Sequence, residues 1–342
     1  MKFGVGLFSM QTHKDLDYGH VDLYRNSLEH VKLAEAVNFD SVWLSEHHFL
    51  EDGYCSSPLT MAAAMASVTE RVRIGTGALI LTLHNPVRIA EDAATVDLIS
   101  NGRFDLGVAI GYRKEEFEGF GVTMKQRPSR IEEGIEIIEK CWEDGPFSYD
   151  GKRFGFSNIN VTPKPVQRPI PIYIGAFEEP AVRRAARLGY PLLIGPGRTV
   201  PMIIDTLEWY DNEAQKAGRN PSSEVEHILL RETYVDESTE QAVAGGIEYI
   251  INMYRFYLSL GVKIVIRGKN ITDPDDPFFE YMAEDRFMIG TPEHCIKEVK
   301  KYSEKTGIGK IMCRMVFPQA PAEVIARSIE LFGEEVIPEF RP

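Results

Sequence analysis

The chain has 342 residues, 44% of them hydrophobic and 26% charged, and a formal net charge of −13. That balance belongs to a globular protein with a large core, built as two domains or one large barrel. The acidity and the lack of a basic cluster argue against nucleic acid and anionic membrane as partners, and no apolar run approaches the roughly 18 residues of a membrane span.

The acidity reads as solubility. Cys55, Cys141, Cys295 and Cys313 are widely spaced with no C-x-x-C pair, which fits buried thiols in a reducing compartment better than zinc. A first strand starting at Phe3 leaves no room for a signal peptide, so a cytoplasmic location is expected.

In chain order, Phe3–Ser9 reads as a strand and His20–Val37 as an amphipathic helix. Asp40–Phe49 then runs from an apolar strand, Val42-Trp43-Leu44, straight into Glu46-His47-His48. Pro58–Val68 is a helix, Val72–Leu81 a strand, Pro86–Ile99 a helix and Arg103–Gly111 the fourth strand. A charged loop leads to a helix over Ser129–Trp142. Phe147–Val161 alternates about an Asp150-Gly151 turn, which predicts a β-hairpin insertion. Further strands fall at Ile170–Gly175, Pro191–Gly195, His227–Val235 and Lys310–Phe317. Helices follow each, through Arg187, over Met202–Lys216, over Ser238–Leu260 and over Pro321–Val336. Residues 262–288 read as an irregular excursion, and Thr291-Pro292-Glu293 opens a capped helix after it. Eight strands alternating with helices predict an α/β fold, a closed (β/α)8 TIM barrel forming one domain over residues 1–342.

In such a barrel the chemistry gathers after the strands. The candidates are Ser45–Phe49, Gly77–Leu81, Ala109–Tyr112, Gly175–Glu178, Gly195–Arg198 and Arg231–Tyr234. Neighbours on a strand point to opposite sides, so His47 and His48 do not easily share one ion, and no metal is expected. One of them suits proton handling, the other a hydrogen-bonded structural role. Gly75, Gly77, Gly107, Gly111, Gly175 and Gly195 allow two readings: packing inside a narrow barrel, or a flat slot for a planar ring. Gly195-Pro196-Gly197 has the look of a phosphate-cradling turn. Arg231 and Arg314 fit either a polar substrate group or a salt-bridge network.

The chain resembles the bacterial luciferase-like flavin monooxygenases over nearly its whole length. The resemblance is carried by Phe39–Phe49, Ile74-Gly75-Thr76-Gly77-Ala78, His84–Asp92, Gly102-Arg103-Phe104, Arg130 and Gly290–Glu293 with Thr306–Ile308. It implies a catalytic role for His47 and a flavin pocket that includes Glu46, Ala109, Ile110, Tyr112, Gly175, Ala176, Gly195 and Gly197. It further implies a cis peptide at Gly77-Ala78 under the flavin ring, Arg130 on the flavin phosphate, and a lid near residues 262–288. The chain departs from the family at Ala109, where luciferases have a reactive cysteine. It also departs at Ile110 and Glu178, which replace a phosphate-binding arginine and serine. The phosphate would then depend on Arg130 and the Gly195–Gly197 turn. The activity so implied is oxygenation of a small organic substrate with O2 and reduced FMN, by a homodimer. No dinucleotide fingerprint is present, so a separate flavin reductase would supply the electrons. The alternatives are a deazaflavin-dependent hydride-transfer enzyme and a flavin-binding protein without catalysis.

Overall fold

Local signals place the elements. Asn85 caps a helix by accepting from the Val87 N–H with Pro86 at the first position, and Thr291 does the same for His294 with Pro292. Asn101, Gly189, Gly218 and Gly307 end helices in the left-handed conformation. In a computed structural model that describes residues 1–262, 264–273, 276 and 281–341, these signals resolve into alternating strands and helices. The first half holds β1 (Lys2–Phe8), α1 (His20–Ala36), β2 (Ser41–Leu44), α2 (Pro58–Ser67), β3 (Arg73–Thr76), α3 (Pro86–Ser100) and β4 (Phe104–Ala109). Then come α4 (Lys114–Gly119), α5 (Arg127–Trp142), β5 (Phe147–Asp150), β6 (Gly155–Ile159), β7 (Ile172–Gly175), α6 (Glu179–Leu188), β8 (Leu192–Ile194) and α7 (Val200–Ala217). The chain continues with β9 (Ile228–Val235), α8 (Thr239–Ser259), β10 (Ile264–Ile266), β11 (Lys269–Ile271) and β12 (Phe287–Gly290). It closes with α9 (Pro292–Thr306), β13 (Lys310–Arg314) and α10 (Ala322–Leu331).

Eight parallel strands close a ring in the order β1, β2, β3, β4, β7, β8, β9, β13 and back to β1. This is the expected (β/α)8 barrel, and its eight strands are those foreseen in the sequence. The bore is filled by Leu7, Trp43, Tyr173, Leu193, Ile228 and Met312. Trp43 is fully buried there. A Cβ on Gly75 would stand 2.3 Å from its ring, so that mid-strand glycine makes room for the indole. A larger apolar layer joins the outside of the barrel to its helices.

The structure corrects several boundaries. The third strand stops at Thr76 rather than Leu81. After it come a cis Gly77-Ala78 peptide and a 3-10 turn over Leu81–Leu83. Strand β13 stops at Arg314 because the Met315 and Val316 N–H groups both turn to the Gly6 carbonyl. The fifth ring strand starts at Ile172; the Pro171 carbonyl only receives the Leu106 N–H. The charged loop after β4 contains a helix, α4. The hairpin insertion is present as the antiparallel pair β5–β6. The excursion at 262–288 is more ordered than expected: β10 and β11 pair as a hairpin, and β12 joins the sheet beside the second half of β9, Phe287–Gly290 against Glu232–Val235. Part of that expectation, at residues 263, 274, 275 and 277–280, lies outside the described residues. All four cysteines are free and buried. Among the described residues no helix is long and apolar enough to cross a membrane.

Candidate active site at the carboxyl ends of the strands

Strand β2 delivers His47 to the barrel mouth, and two other segments fix its ring. Glu116, on α4, accepts from His47 Nδ1 at 2.8 Å, from the His48 N–H at 3.0 Å and from Arg113 Nη1 at 3.3 Å, all on one oxygen. Burial alone would raise the Glu116 carboxyl. The bonds from His47 and His48 and the Arg113 charge outweigh it and hold the group below its ordinary value. An anionic Glu116 keeps the hydrogen on Nδ1, so Nε2 of the neutral ring accepts from the Tyr112 hydroxyl at 3.1 Å. Tyr54 packs edge-on against the same imidazole, with ring centroids 4.7 Å apart. The result is a carboxylate–imidazole–phenol line in which one face of the ring nitrogen system is fixed and the other is turned to a half-exposed tyrosine. Such a line can hold a proton at Nε2 and pass it on.

Glu46 serves a different purpose. One of its oxygens accepts from His48 Nε2 at 2.9 Å and His84 Nε2 at 2.7 Å; the other accepts the Ile80 N–H. Burial works against its charge, and these three bonds more than offset it, holding the carboxyl down at about 2. Glu46 therefore ties the end of β2 to the segment after β3. The ligand atoms of Glu46, His48 and His84 lie within 4.8 Å of one another, close enough to hold an ion. The third member, His84, is 36 positions on from His48, so reasoning about the adjacent histidine pair missed it.

The small residues form a floor. A Cβ on Gly175 would stand 3.5 Å from the Ala109 Cβ and 3.8 Å from the Ala78 Cβ, so three strand ends meet there without a bulky side chain. Gly77, Ala78, Ala109, Ile110 and Gly175 are half-buried at the mouth, and Ala176 is buried beneath. The Gly77-Ala78 peptide is cis, as the resemblance implies. Beside the floor, Arg130 donates from Nε to the Thr82 carbonyl at 2.6 Å and from Nη2 to the His84 carbonyl at 3.3 Å, and stacks on Phe154.

Other sequence candidates fall elsewhere. Gly195 lies under the Phe177 ring. The carbonyl of Gly197 is taken by Arg286 at 3.0 Å and that of Arg198 by Arg231 at 2.9 Å. Arg231 is buried with its guanidinium over the Tyr302 ring and donates to backbone carbonyls. Glu178 is exposed at the start of α6. Arg314 is buried and donates to the Tyr257 hydroxyl at 2.8 Å, which in turn meets Tyr54 at 3.0 Å, behind His47. Glu116, His84 and Tyr257 were not foreseen. No local signal marks Glu116, which stands among the charged residues Lys114, Glu115 and Glu118.

The family model described as luciferase-like monooxygenase matches residues 1–309. The chain belongs to the luciferase-like monooxygenase family. It is 27% identical to the alkanal monooxygenase alpha chain of Photorhabdus luminescens, over 99% of this chain and 97% of that relative. It is 28% identical to the oxygenase component of a flavin-dependent trigonelline monooxygenase from Acinetobacter baylyi, over 70% of this chain and 67% of that one. In structure it matches monooxygenase RslO1 from Streptomyces bottropensis with a TM-score of 0.87, 27% identity and full coverage of both chains. Two more distant barrels share the fold. One is the oxygenating constituent of 3,6-diketocamphane monooxygenase from Pseudomonas putida in complex with FMN, with TM-score 0.81, 20% identity, and 99% and 98% of the two chains covered. The other is the coenzyme F420-dependent tetrahydromethanopterin reductase from Methanopyrus kandleri, with TM-score 0.75, 19% identity, and 99% of each chain covered. As a member of this luciferase-like monooxygenase family the chain is an oxidoreductase.

Proposed function

We propose that this protein is the oxygenase of a two-component system, taking reduced FMN and O2 and placing one oxygen atom in a small organic substrate. The observation that carries the reading is the Glu116–His47–Tyr112 line beside a half-exposed floor of Ala78, Ala109 and Gly175. The residues present fit the cofactor. The floor leaves a planar ring room that larger side chains would fill, and Arg130 sits at its edge with no carboxylate within salt-bridge distance among the described residues.

When bound, reduced FMN supplies the electrons that activate O2; the second oxygen atom leaves as water. Everything else falls to the chain. Ala78, Ala109 and Gly175 seat the ring, and Arg130 orients it through the phosphate. His47 holds or moves a proton at Nε2, with its tautomer set by Glu116 and its hydrogen bond shared with Tyr112. Phe49, Tyr112, Phe120 and Phe177 are exposed around the mouth and offer apolar walls that limit water. The relative named as an oxygenase component supports electron supply by a separate flavin reductase, and a homodimer is the assembly we propose.

The test has two parts. Anaerobic titration with reduced FMN and with a reduced deazaflavin should give binding of the first and not the second. Turnover under 18O2 with a substrate panel and an added reductase should then put one labelled atom in product. Tight deazaflavin binding with O2-independent hydride transfer would overturn the reading. So would rapid NADH or NADPH oxidation without the reductase, which would remove its two-component part.

A further inference from the structure

Three guanidiniums gather at the first turn of α5 with no carboxylate in salt-bridge contact among the described residues. Arg127 donates to the Met124 carbonyl at 3.1 Å and the Gly111 carbonyl at 2.6 Å. Arg130 is held by the Thr82 and His84 carbonyls as described. Arg153, from the loop between β5 and β6, donates from Nε to the Ser129 hydroxyl at 2.7 Å. None of the three has a carboxylate within 4.0 Å among the described residues, whereas Arg73, Arg88, Arg183 and Arg184 on this acidic chain each do. The nearby Glu133 is otherwise engaged: one of its oxygens accepts the backbone N–H groups of Arg153 at 2.9 Å and Phe154 at 3.3 Å.

This arrangement is unfavourable without an anion. The first turn of a helix carries partial positive charge and favours Asp or Glu. Helix α5, 16 residues long, has no acidic residue there and instead starts with Arg127 and Arg130. Burial, and after it the neighbouring Arg153 charge, push Arg130 below its ordinary value, and the Glu133 carboxylate offsets only part of this. Carbonyl and hydroxyl partners fix where the arginines point without cancelling their charge. The cluster also borders the floor directly. Arg127 bonds to Gly111, two residues beyond Ala109, and Thr82, whose carbonyl holds Arg130, donates its hydroxyl to the Ile110 carbonyl at 2.8 Å.

We infer that Arg127, Arg130 and Arg153 form a clamp for a terminal phosphate monoester, with Arg153 brought in by the hairpin to supply charge on the side where strand β4 offers only Ile110. The inference rests on the FMN reading and sharpens it. Three cations without a salt-bridge partner match the nearly dianionic charge of a monoester and exceed the single charge of a phosphodiester linkage, as in a deazaflavin tail; FAD spreads its two charges along a pyrophosphate bridge and offers no terminal dianionic group for the three forks to surround. Fork-shaped guanidiniums suit phosphate oxygens. The β5–β6 hairpin is then a part of the cofactor site and not a decoration on the barrel.

The test is anaerobic calorimetric titration of the full-length protein with reduced FMN, riboflavin and FAD. The wild type should prefer FMN over both. Arg153→Gln and Arg127→Gln should each weaken FMN about tenfold or more, the scale of one lost charge-assisted bond, and leave riboflavin within about twofold. Arg153→Lys should recover part of the loss and covers the case in which Arg153→Gln does not fold; thermal melts identify that case. Equal weakening of FMN and riboflavin, no weakening by either glutamine variant, or wild-type affinity for FAD equal to that for FMN overturns the clamp while leaving flavin use intact. Failure of the wild type to bind any reduced flavin overturns the proposed function itself.

Discussion

His47 and Glu116 sit 69 positions apart, and neither works alone in the geometry described. Removing the imidazole by His47→Ala leaves the floor untouched. Reduced-flavin affinity should stay within a few-fold while oxygenation falls about a hundredfold or more, the usual worth of a placed acid–base group. Flavin oxidation should continue uncoupled, with hydrogen peroxide released in place of product. Glu116→Gln keeps the shape but loses the anionic acceptor shared by His47, His48 and Arg113, so it should show the same uncoupling in milder form. Product yield per flavin oxidised is the measurement, and unchanged coupling in His47→Ala would remove the histidine from the mechanism.

At the scale of elements, the barrel mouth divides labour between strand ends and an inserted hairpin. The ends of β4 and β7, with Ala78 after β3, provide the flat floor; α5 and the β5–β6 hairpin provide charge. The two parts predict different failures. Gly175→Leu puts a branched side chain over Ala109 and Ala78, at a position where a Cβ itself meets only ordinary contacts of 3.5 and 3.8 Å. It should weaken FMN and riboflavin equally, by about tenfold or more, since a filled slot excludes the ring whatever its tail. The melting temperature should move little because the site is half-exposed. A loss confined to FMN would mean that the ring lies elsewhere.

Across the whole molecule, the buried titratable groups set the acid limit of stability. Glu46 is held at about 2 in the fold against an ordinary 4.5, so its contribution is complete above pH 4.5 and is lost as pH falls toward 2. His227, at the start of β9, is buried with Nδ1 accepting the Leu192 N–H at 3.0 Å. Burial pushes it down to about 4 from 6.5. The unfolded chain binds that proton more readily, so stability falls as pH drops from 6.5 to 4, by on the order of 3 kcal/mol for a shift of this size. Buried Glu232 is raised by burial and acts in the opposite sense, losing stability as pH rises above 4.5. Urea denaturation of wild type and His227→Gln between pH 4 and 7 separates them: the variant should show a flatter decline below pH 6.5. Parallel curves would mean that His227 charges without cost in the fold.

Much of this was legible in the chain as written. Eight apolar segments alternating with helices, some of them closed by a cap or a left-handed terminator, specify a (β/α)8 barrel because strand and helix periods and stop signals are local properties. The same local reading placed Glu46-His47-His48 at a strand end and the small residues Ala78, Ala109 and Gly175 near the mouth. What a sequence lacks is which side chains meet once the ring closes. Glu116, a charged residue in a charged loop, became the anchor of His47 only because α4 folds back over β2. His84 reached Glu46 across the β3 turn, and Arg153 reached Arg130 across a hairpin. Mid-strand glycines looked alike, yet Gly75 serves the Trp43 ring inside the bore while Gly175 opens the floor above it. Their chain positions carry no record of that difference, since it depends on the strand stagger of the closed barrel and on the one indole that fills it.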